Sequence, residues 1–162
     1  MTINKNRKIK IKKPNETDNA ENQVVEPKTL DSSLEMNIEI FKEIFKDDDT
    51  VVFRHFSHPN DNRLKCCIIF IECMVKTEVV NDNIIRPIVQ CNNTDKMQDI
   101  INELKENVII TSNIEKTADI NDLIKALIMG DTLLFVEDAS EGLAICTKGW
   151  QSRAITEPEA EK

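Results

Sequence analysis

The stretch Leu64-Lys65-Cys66-Cys67-Ile68-Ile69-Phe70-Ile71 contains an almost continuous apolar run, which is typical of a strand buried on both faces. Before it, the segment Thr50 to Phe56 alternates as a half-buried strand does. Turn-forming residues lie between them, in His58-Pro59-Asn60-Asp61-Asn62. The segment from Thr50 to Phe56 and the segment from Leu64 to Val75 are therefore predicted to form a hairpin with a loose loop, at the centre of a sheet.

The composition is that of one soluble domain. The chain has 162 residues, of which 40% are hydrophobic and 31% charged, enough for a core without disulfides or metal. It contains no run of the roughly 18 to 20 apolar residues that a membrane-spanning helix needs. Five cysteines at irregular spacing indicate free thiols rather than a disulfide framework.

The net charge of −8 is unevenly distributed along the chain. Most of the chain is acidic. An acidic surface binds nucleic acid poorly, because most of the affinity for nucleic acid comes from basic residues that neutralise phosphates. A basic arm can instead approach an anionic membrane surface, where each lysine adds about 1 kcal/mol. The basic arm of this chain is its N-terminal stretch, with Lys5, Arg7, Lys8, Lys10, Lys12 and Lys13.

Residues 1–31 are predicted to be a disordered basic and polar tail, because they carry too few apolar residues to offset the entropy of ordering. Residues 32–156 form the α/β soluble domain in this prediction, and residues 157–162 form an exit linker. The domain begins at Ser32, which lies three residues before Glu35 in a capping signature. A helical stripe follows, made of Leu34, Ile38, Phe41 and Phe45.

Further segments carry the signals of helices and strands. Asn81 or Asp82 opens a short helix, and Pro87 either sits in its first turn or kinks it. Gly130 marks a left-handed helix end. The predicted fold class is α/β (α+β-like), a mixed β-sheet packed with amphipathic helices in a single subdomain. A further helix is predicted from Thr94 or Asp95 to Asn107, with Met97, Ile100, Ile101 and Leu104 on one face. It is followed by a strand, Val108–Ile110, and by a helix capped by Asp119 or Asn121. The last predicted elements are the strands Thr132–Glu137 and Leu143–Thr147, which the loop 138–142 joins.

Catalytic, metal and cofactor sites are not predicted. Cys66 and Cys67 are adjacent on a strand and point to opposite faces, so they cannot readily share a tetrahedral metal site with His55 or His58. Cys91 lies beside two asparagines, but no local signature of a nucleophilic cysteine surrounds it. Three glycines, each at an expected turn or helix end, cannot build a phosphate-binding loop.

The last stretch, from Gly149 to Lys162, looks like the exit from one module towards another. Pro158 removes a backbone donor and holds Glu157 in extended geometry. Two interpretations are open: Trp150 covers the sheet edge of a simple exit loop, or Arg153 and Glu157 organise the contact with the next module.

Two motifs of this chain resemble the A subunit of the GerA family of bacterial spore germination receptors. One is Gly130-Asp131-Thr132-Leu133-Leu134-Phe135-Val136, and the other is the Arg-x-Ile-x-Glu-Pro-x-x-Glu pattern from Arg153 to Glu161. Cys73 departs from the pattern, since the family usually has a glycine there. The resemblance implies a non-catalytic domain at the cytosolic face of the inner spore membrane, followed by a second soluble subdomain and a membrane domain.

The resemblance also implies partners and contact residues. The partners are the B and C receptor subunits and the rest of the same subunit, with a homo-oligomer as a further candidate. The function it implies is receptor assembly and signalling for spore germination. The alternative is a small-ligand module, with a nutrient in a pocket at the sheet-helix or subdomain interface. The expected contacts between modules are Trp150, Arg153, Glu157, Pro158 and Glu161.

Overall fold

The computed structural model describes residues 28–92, Thr94 and residues 97–148. Within these residues the sheet has five strands in the order β1-β2-β4-β5-β3, and every pairing is antiparallel. The predicted class of helices packed on a sheet is confirmed, but the sheet is antiparallel rather than mixed in direction. The strands are β1 Val51–His58, β2 Asp61–Ile71, β3 Ile114–Thr117, β4 Thr132–Val136 and β5 Gly142–Ile145.

The hairpin predicted from the opening stretch is confirmed, but its position in the sheet is different. Strands β1 and β2 pair along their length, and His58 pairs with Asp61, so the turn is only Pro59-Asn60. Strand β1 lies at the edge, whereas the central strand is β4, in which every residue is buried. The alternation from Thr50 to Phe56 thus reflects a half-exposed edge strand.

Helices cover both faces of the sheet. On one face, α1 (Leu34–Ile44) and α5 (Ile120–Ile128) pack on a core that includes Cys67 and Phe135. The rings of Phe41 and Phe135 lie 5.2 Å apart. The other face carries α2 (Thr77–Val80), α3 (Arg86–Gln90) and α4 (Ile100–Glu103), packed on a core that includes Cys66. Adjacent cysteines of β2 therefore belong to opposite cores, as predicted.

The folded part begins before Ser32. Thr29 forms an antiparallel bridge with Asp119, and Leu30 is only 6% exposed. The buried side chain of Asn37 accepts the N–H of Asp31 at 2.8 Å and donates to its carbonyl at 2.7 Å. Residues 28–31, which the sequence prediction placed in the tail, are thus fastened to α1 and α5. The rest of the predicted tail, 1–27, lies outside the described residues.

A wide π turn, Asn81–Ile85, joins α2 to α3 without a break in the helix. The helical run therefore begins at Thr77 and not at the predicted Asn81 or Asp82, and Pro87 lies inside it as the second residue of α3. It has no N–H to donate to the carbonyl of Asn83, four residues earlier. That carbonyl instead accepts the N–H of Ile110 at 3.1 Å. The proline therefore creates a link between this helical layer and the loop after α4.

The region from Thr94 to Thr117 differs most from the prediction. Helix α4 starts after Asp99, whose side chain accepts the N–H of Asn102, and it continues into a second π turn, Leu104–Val108. The strand predicted at Val108–Ile110 is wrong, because the N–H of Ile109 bonds to the carbonyl of Leu104 and prolongs the helix. The strand in this region is β3, which the sequence analysis missed because three of its four residues are polar.

The C-terminal part of the described chain follows the prediction closely. Asp119 caps α5, and its side chain accepts the N–H groups of Asn121 and Asp122. Gly130 has φ +93°, the left-handed conformation that ends a helix and that glycine adopts without strain. Strands β4 and β5 follow within two residues of their predicted bounds.

Replacement of Gly142 by alanine is expected to destabilise the domain by about 1–3 kcal/mol, as overpacking of a core does. A Cβ at this position would lie 2.7 Å from Cε1 of Phe135, a ring that is 1% exposed. Urea unfolding of Gly142→Ala measures the change. The control is Ser140→Ala, an exposed turn position where the change should stay within about 0.5 kcal/mol. Equal stability of the two variants would contradict the close packing of β5 on Phe135.

Candidate functional site

A groove of about 520 Å³ lies where the first turn of α1 meets β1 and β2. Glu137, just after β4, closes one side of it: its Oε2 accepts the N–H of Leu34 at 3.1 Å, and its own N–H donates to the carbonyl of Lys65. Ser57 pairs with Lys65 across the hairpin, so both side chains lie on the face that α1 covers further along. The groove is lined by Leu34, Glu35, His55, Phe56, Ser57, Lys65, Cys66 and Glu137.

The charges in this groove have both signs. Glu35 and Glu137 supply carboxylates, and Lys65 supplies an ammonium group, with the His55 imidazole beside them. Glu137 is half-buried, whereas Glu35, His55 and Lys65 are exposed. Such a set can bind a small polar molecule through charge-assisted hydrogen bonds.

A second groove, of about 510 Å³, lies on the other side of Glu137. It runs between the turn 138–141 and the start of α4, and Arg63 lies at its edge. Asp138 has φ +62°, a conformation uncommon for a non-glycine residue, which turns the chain sharply after β4.

An ionic network fastens the end of the hairpin to the segment after α3. Arg63 binds the Asp61 carboxylate through Nε and Nη2, at 3.1 and 2.8 Å, and its Nη2 also donates to the carbonyl of Thr94 at 2.6 Å. His58 Nε2 lies 3.0 Å from the carbonyl oxygen of Cys91. The hydrogen bonds from the Arg63 side chain and backbone and from the Thr94 hydroxyl hold the pKa of Asp61 well below its usual range.

The cysteines near this region are poor nucleophiles. Burial raises the pKa of Cys66 and of Cys67 to about 12, and burial also raises the pKa of Cys91. The thiol of Cys91 donates to the carbonyl of Ile88 at 3.0 Å. Because the reactive form of cysteine is the thiolate, these groups are largely unreactive at neutral pH.

The described part of the chain has neither a cluster of metal ligands nor a helix that could span a membrane. Its histidines, cysteines and carboxylates form no group of three or more that could hold a metal ion. Among the helices of residues 28–92 and 97–148, none has the length and apolar character needed to cross a bilayer.

The predicted exit residues Trp150, Arg153, Glu157, Pro158 and Glu161 lie outside the described residues, as does the linker 157–162. The structure does describe the point from which this segment departs. Lys148 forms an antiparallel bridge with Val75, and its Nζ lies 3.3 Å from Oδ1 of Asp131. Next to it, the hydroxyls of Thr132 and Thr147 share a buried hydrogen bond of 2.7 Å.

The sequence of most of the chain matches a known protein family. The family described as Bacillus/Clostridium GerA spore germination protein matches residues 39–162. The chain belongs to the GerA family, as its terminal motifs predicted.

Individual relatives give the same result. The chain is 30% identical over 132 residues to an uncharacterized membrane protein, YfkQ, of Bacillus subtilis, and 26% identical over 139 residues to spore germination protein KA of the same organism. These matches cover 82% and 83% of this chain. The chain spans 25% of the length of each of these relatives.

A solved structure has the same fold. It is the N-terminal domain of the A subunit of the Bacillus megaterium spore germinant receptor GerK3, with a TM-score of 0.65 and 26% sequence identity. The match covers 75% of this chain and 48% of the solved domain. The antiparallel sheet with helices on both faces is therefore the fold of part of a germinant receptor A-subunit domain.

Replacement of Asp61 by asparagine is expected to lower the free energy of unfolding at pH 7 and to have less effect in acid. A carboxyl whose pKa is depressed in the folded state stabilises the fold above its unfolded pKa, near 4, and this contribution is lost as the pH falls towards the folded pKa. Urea unfolding at pH 7, 4 and 3 measures the gap between the two proteins. Asp49→Asn, at an exposed position before β1, is the control and should change little at any pH. A gap that stays constant down to pH 3 would contradict the proposed role of the Asp61 carboxylate.

Proposed function

We propose that this chain is the first soluble module of a nutrient germinant receptor A subunit and that it acts in receptor assembly and signalling without catalysis. The observation that carries the proposal is the match to the N-terminal domain of the GerK3 A subunit, of which this fold accounts for 48%. A second soluble subdomain would supply the rest of that domain. The family match over residues 39–162 supports the same role.

The proposal of a non-catalytic role rests on the chemistry of the described residues. Cys66 and Cys67 are buried thiols, and the carboxylate of Asp61 is engaged by Arg63. The imidazole of His58 lies against a backbone carbonyl. These groups are used to hold the fold together, which leaves binding as the activity that the geometry favours.

The proposed setting is a membrane-bound complex. We place the module at the cytosolic face of the inner spore membrane, next to the membrane domain of the same subunit and the B and C subunits. Self-association of the module is a further candidate. The basic tail, residues 1–31 in the sequence prediction, would add contacts with anionic lipid headgroups, each worth about 1 kcal/mol. The net charge of −8 argues against nucleic acid as a partner of the whole chain.

The contacts between modules are proposed to come from Trp150, Arg153, Glu157, Pro158 and Glu161, within a domain that runs to residue 156 and a linker 157–162. The bridge between Lys148 and Val75 and the ion pair with Asp131 fix the direction from which this segment starts. Breaking a buried ion pair costs about 3–5 kcal/mol, whereas an exposed pair is worth about 0–1 kcal/mol. Charges at this junction would therefore matter most when the next module covers them.

Arg153→Ala and Glu157→Ala are expected to lower receptor assembly or the germination response to nutrient, because they remove contacts between modules. In the isolated chain both should leave the melting temperature nearly unchanged. The measurements are thermal unfolding of the purified variants and nutrient response of spores that carry the full-length receptor.

The matched control is Arg86→Ala, which removes an exposed ion pair with Asp82 on the helical layer. It should affect neither measurement. A large loss of stability with normal germination in Arg153→Ala would make Arg153 a fold element and would contradict the connector role.

The second candidate function is binding of a small nutrient in the groove beside α1. The observation that favours it is the pairing of carboxylates and an ammonium group, Glu35 and Glu137 with Lys65, at the sheet-helix interface. This arrangement complements a molecule that carries both charges, such as an amino acid. The volume of about 520 Å³ lies within the range of small-molecule sites.

Titration of the labelled chain with amino acids, sugars and nucleosides, followed by amide NMR shifts, tests this candidate. Binding is expected to shift the amides of His55, Ser57 and Lys65, and Lys65→Ala should weaken it by about tenfold, the loss of one charged hydrogen bond. Lys46→Ala, which removes an exposed lysine beyond α1, is the control. Shifts that are absent, or that survive unchanged in Lys65→Ala, would contradict binding in this groove.

A further inference from the structure

Two opposite charges line the groove beside α1 without being paired. The carboxylate of Glu35 lies in the first turn of α1, the ammonium group of Lys65 lies on β2, and both residues are exposed. Within residues 28–92 and 97–148, neither side chain forms a hydrogen bond or an ion pair. A gap therefore separates the two charges within one groove, so a molecule that carries both charges can lie between them.

Glu137, the second carboxylate of the groove, is used differently. Its Oε2 accepts the N–H of Leu34 at 3.1 Å, one of the first-turn N–H groups of α1 that no carbonyl of the helix can accept. Its own N–H donates to the carbonyl of Lys65 at 2.9 Å. Glu137 therefore ties the start of α1 to β2, and these two elements form walls of the groove.

The groove and the last described residue lie at opposite ends of the sheet. The groove contains Glu137, just after β4, and Lys65, just before the stretch of β2 that pairs with β4. Lys148 instead lies beside Val75, after the end of β2, and Asp131, before the start of β4. The groove also has the volume of a small-molecule site, about 520 Å³. Both observations favour a small molecule as its occupant over the chain that continues from Lys148.

We propose that the groove is selective for a small zwitterion, whose ammonium group binds Glu35 and whose carboxylate binds Lys65. Glu137 is a positioning residue in this arrangement, because its carboxylate is already engaged by α1. The inference rests on the nutrient binding proposed above and adds to it which side chain recognises which charge. A ligand with only one of the two charges would leave either Glu35 or Lys65 without a charge-assisted hydrogen bond and would bind more weakly.

The test is an amide NMR titration of the full chain, with the amides of His55, Ser57 and Lys65 as reporters. Each amino acid that shifts these amides is compared with two counterparts, one without the amino group and one without the carboxylate. For leucine these probes are 4-methylpentanoate and 3-methylbutylamine. Each counterpart is expected to bind about tenfold more weakly than the amino acid, which is the loss of one charged hydrogen bond.

Three substitutions separate the roles of the two carboxylates. Glu35→Gln should weaken binding of the amino acid by about tenfold, to the level of its amino-free counterpart. Glu137→Ala should weaken all three probes by a similar factor, because it removes the tie between α1 and β2. Glu137→Gln should recover most of that loss, since its amide oxygen can accept the N–H of Leu34. The matched control is Glu39→Gln, the same change at an exposed position of α1 outside the groove, and it should leave the affinities unchanged.

Equal binding of an amino acid and its amino-free counterpart would overturn the inference, as would a preference for the amino acid that survives in Glu35→Gln. A preference that is lost in Glu137→Gln instead would also overturn it, because Glu137 would then be the ammonium contact. Binding of sugars or nucleosides alone would overturn it as well. All these results leave nutrient binding in the groove intact. A panel that shifts none of the three reporter amides would contradict the proposed nutrient binding itself, and the inference with it.

Discussion

The antiparallel pairing of β2 with β4 is the interaction on which the rest of the structure depends. Cys67 lies opposite Phe135 and Ile68 opposite Leu134, so successive residues of both strands enter alternate cores. The two cores are therefore built on one scaffold, because each uses alternate residues of the same two strands. Burial on both faces also explains why the paired stretches, Cys66–Ile69 and Leu133–Val136, carry only apolar side chains.

Elements whose apolar pattern comes from this two-sided burial were predictable from the sequence. Strand β2, the stripe of α1 and the succession of α5, Gly130 and β4 follow from periodicity and capping alone. Strand β3 was not predictable, because an edge strand that is only half-buried needs no apolar run. The two π turns were not predicted, because a π turn leaves no periodic signal in the local sequence.

The candidate functional residues also include some that the sequence could predict and some that it could not. The exit motif was visible because Pro158 and its neighbours lie close together in the sequence. The groove beside α1 was not visible, since Ser57, Lys65 and Glu137 come from three separate segments. The contact between Glu137 and the N–H of Leu34 spans 103 residues, and no local pattern predicts a carboxylate at that helix start. The sequence therefore predicts a connector, whereas the groove beside α1 becomes visible only in the structure.

The placement of β5 between β3 and β4 has a mechanical consequence. A pull along the axis of β5 acts at right angles to the ladder hydrogen bonds on its two sides, which run across the strand. These bonds are then loaded together in shear, rather than peeled apart one at a time. Past the end of the ladder, the bonds from the Thr111 hydroxyl to the carbonyl of Cys146 and from the Cys146 N–H to Asn113 share the load. A pull along β5 would therefore be transmitted to β3 and β4 together, because both strands are paired with it.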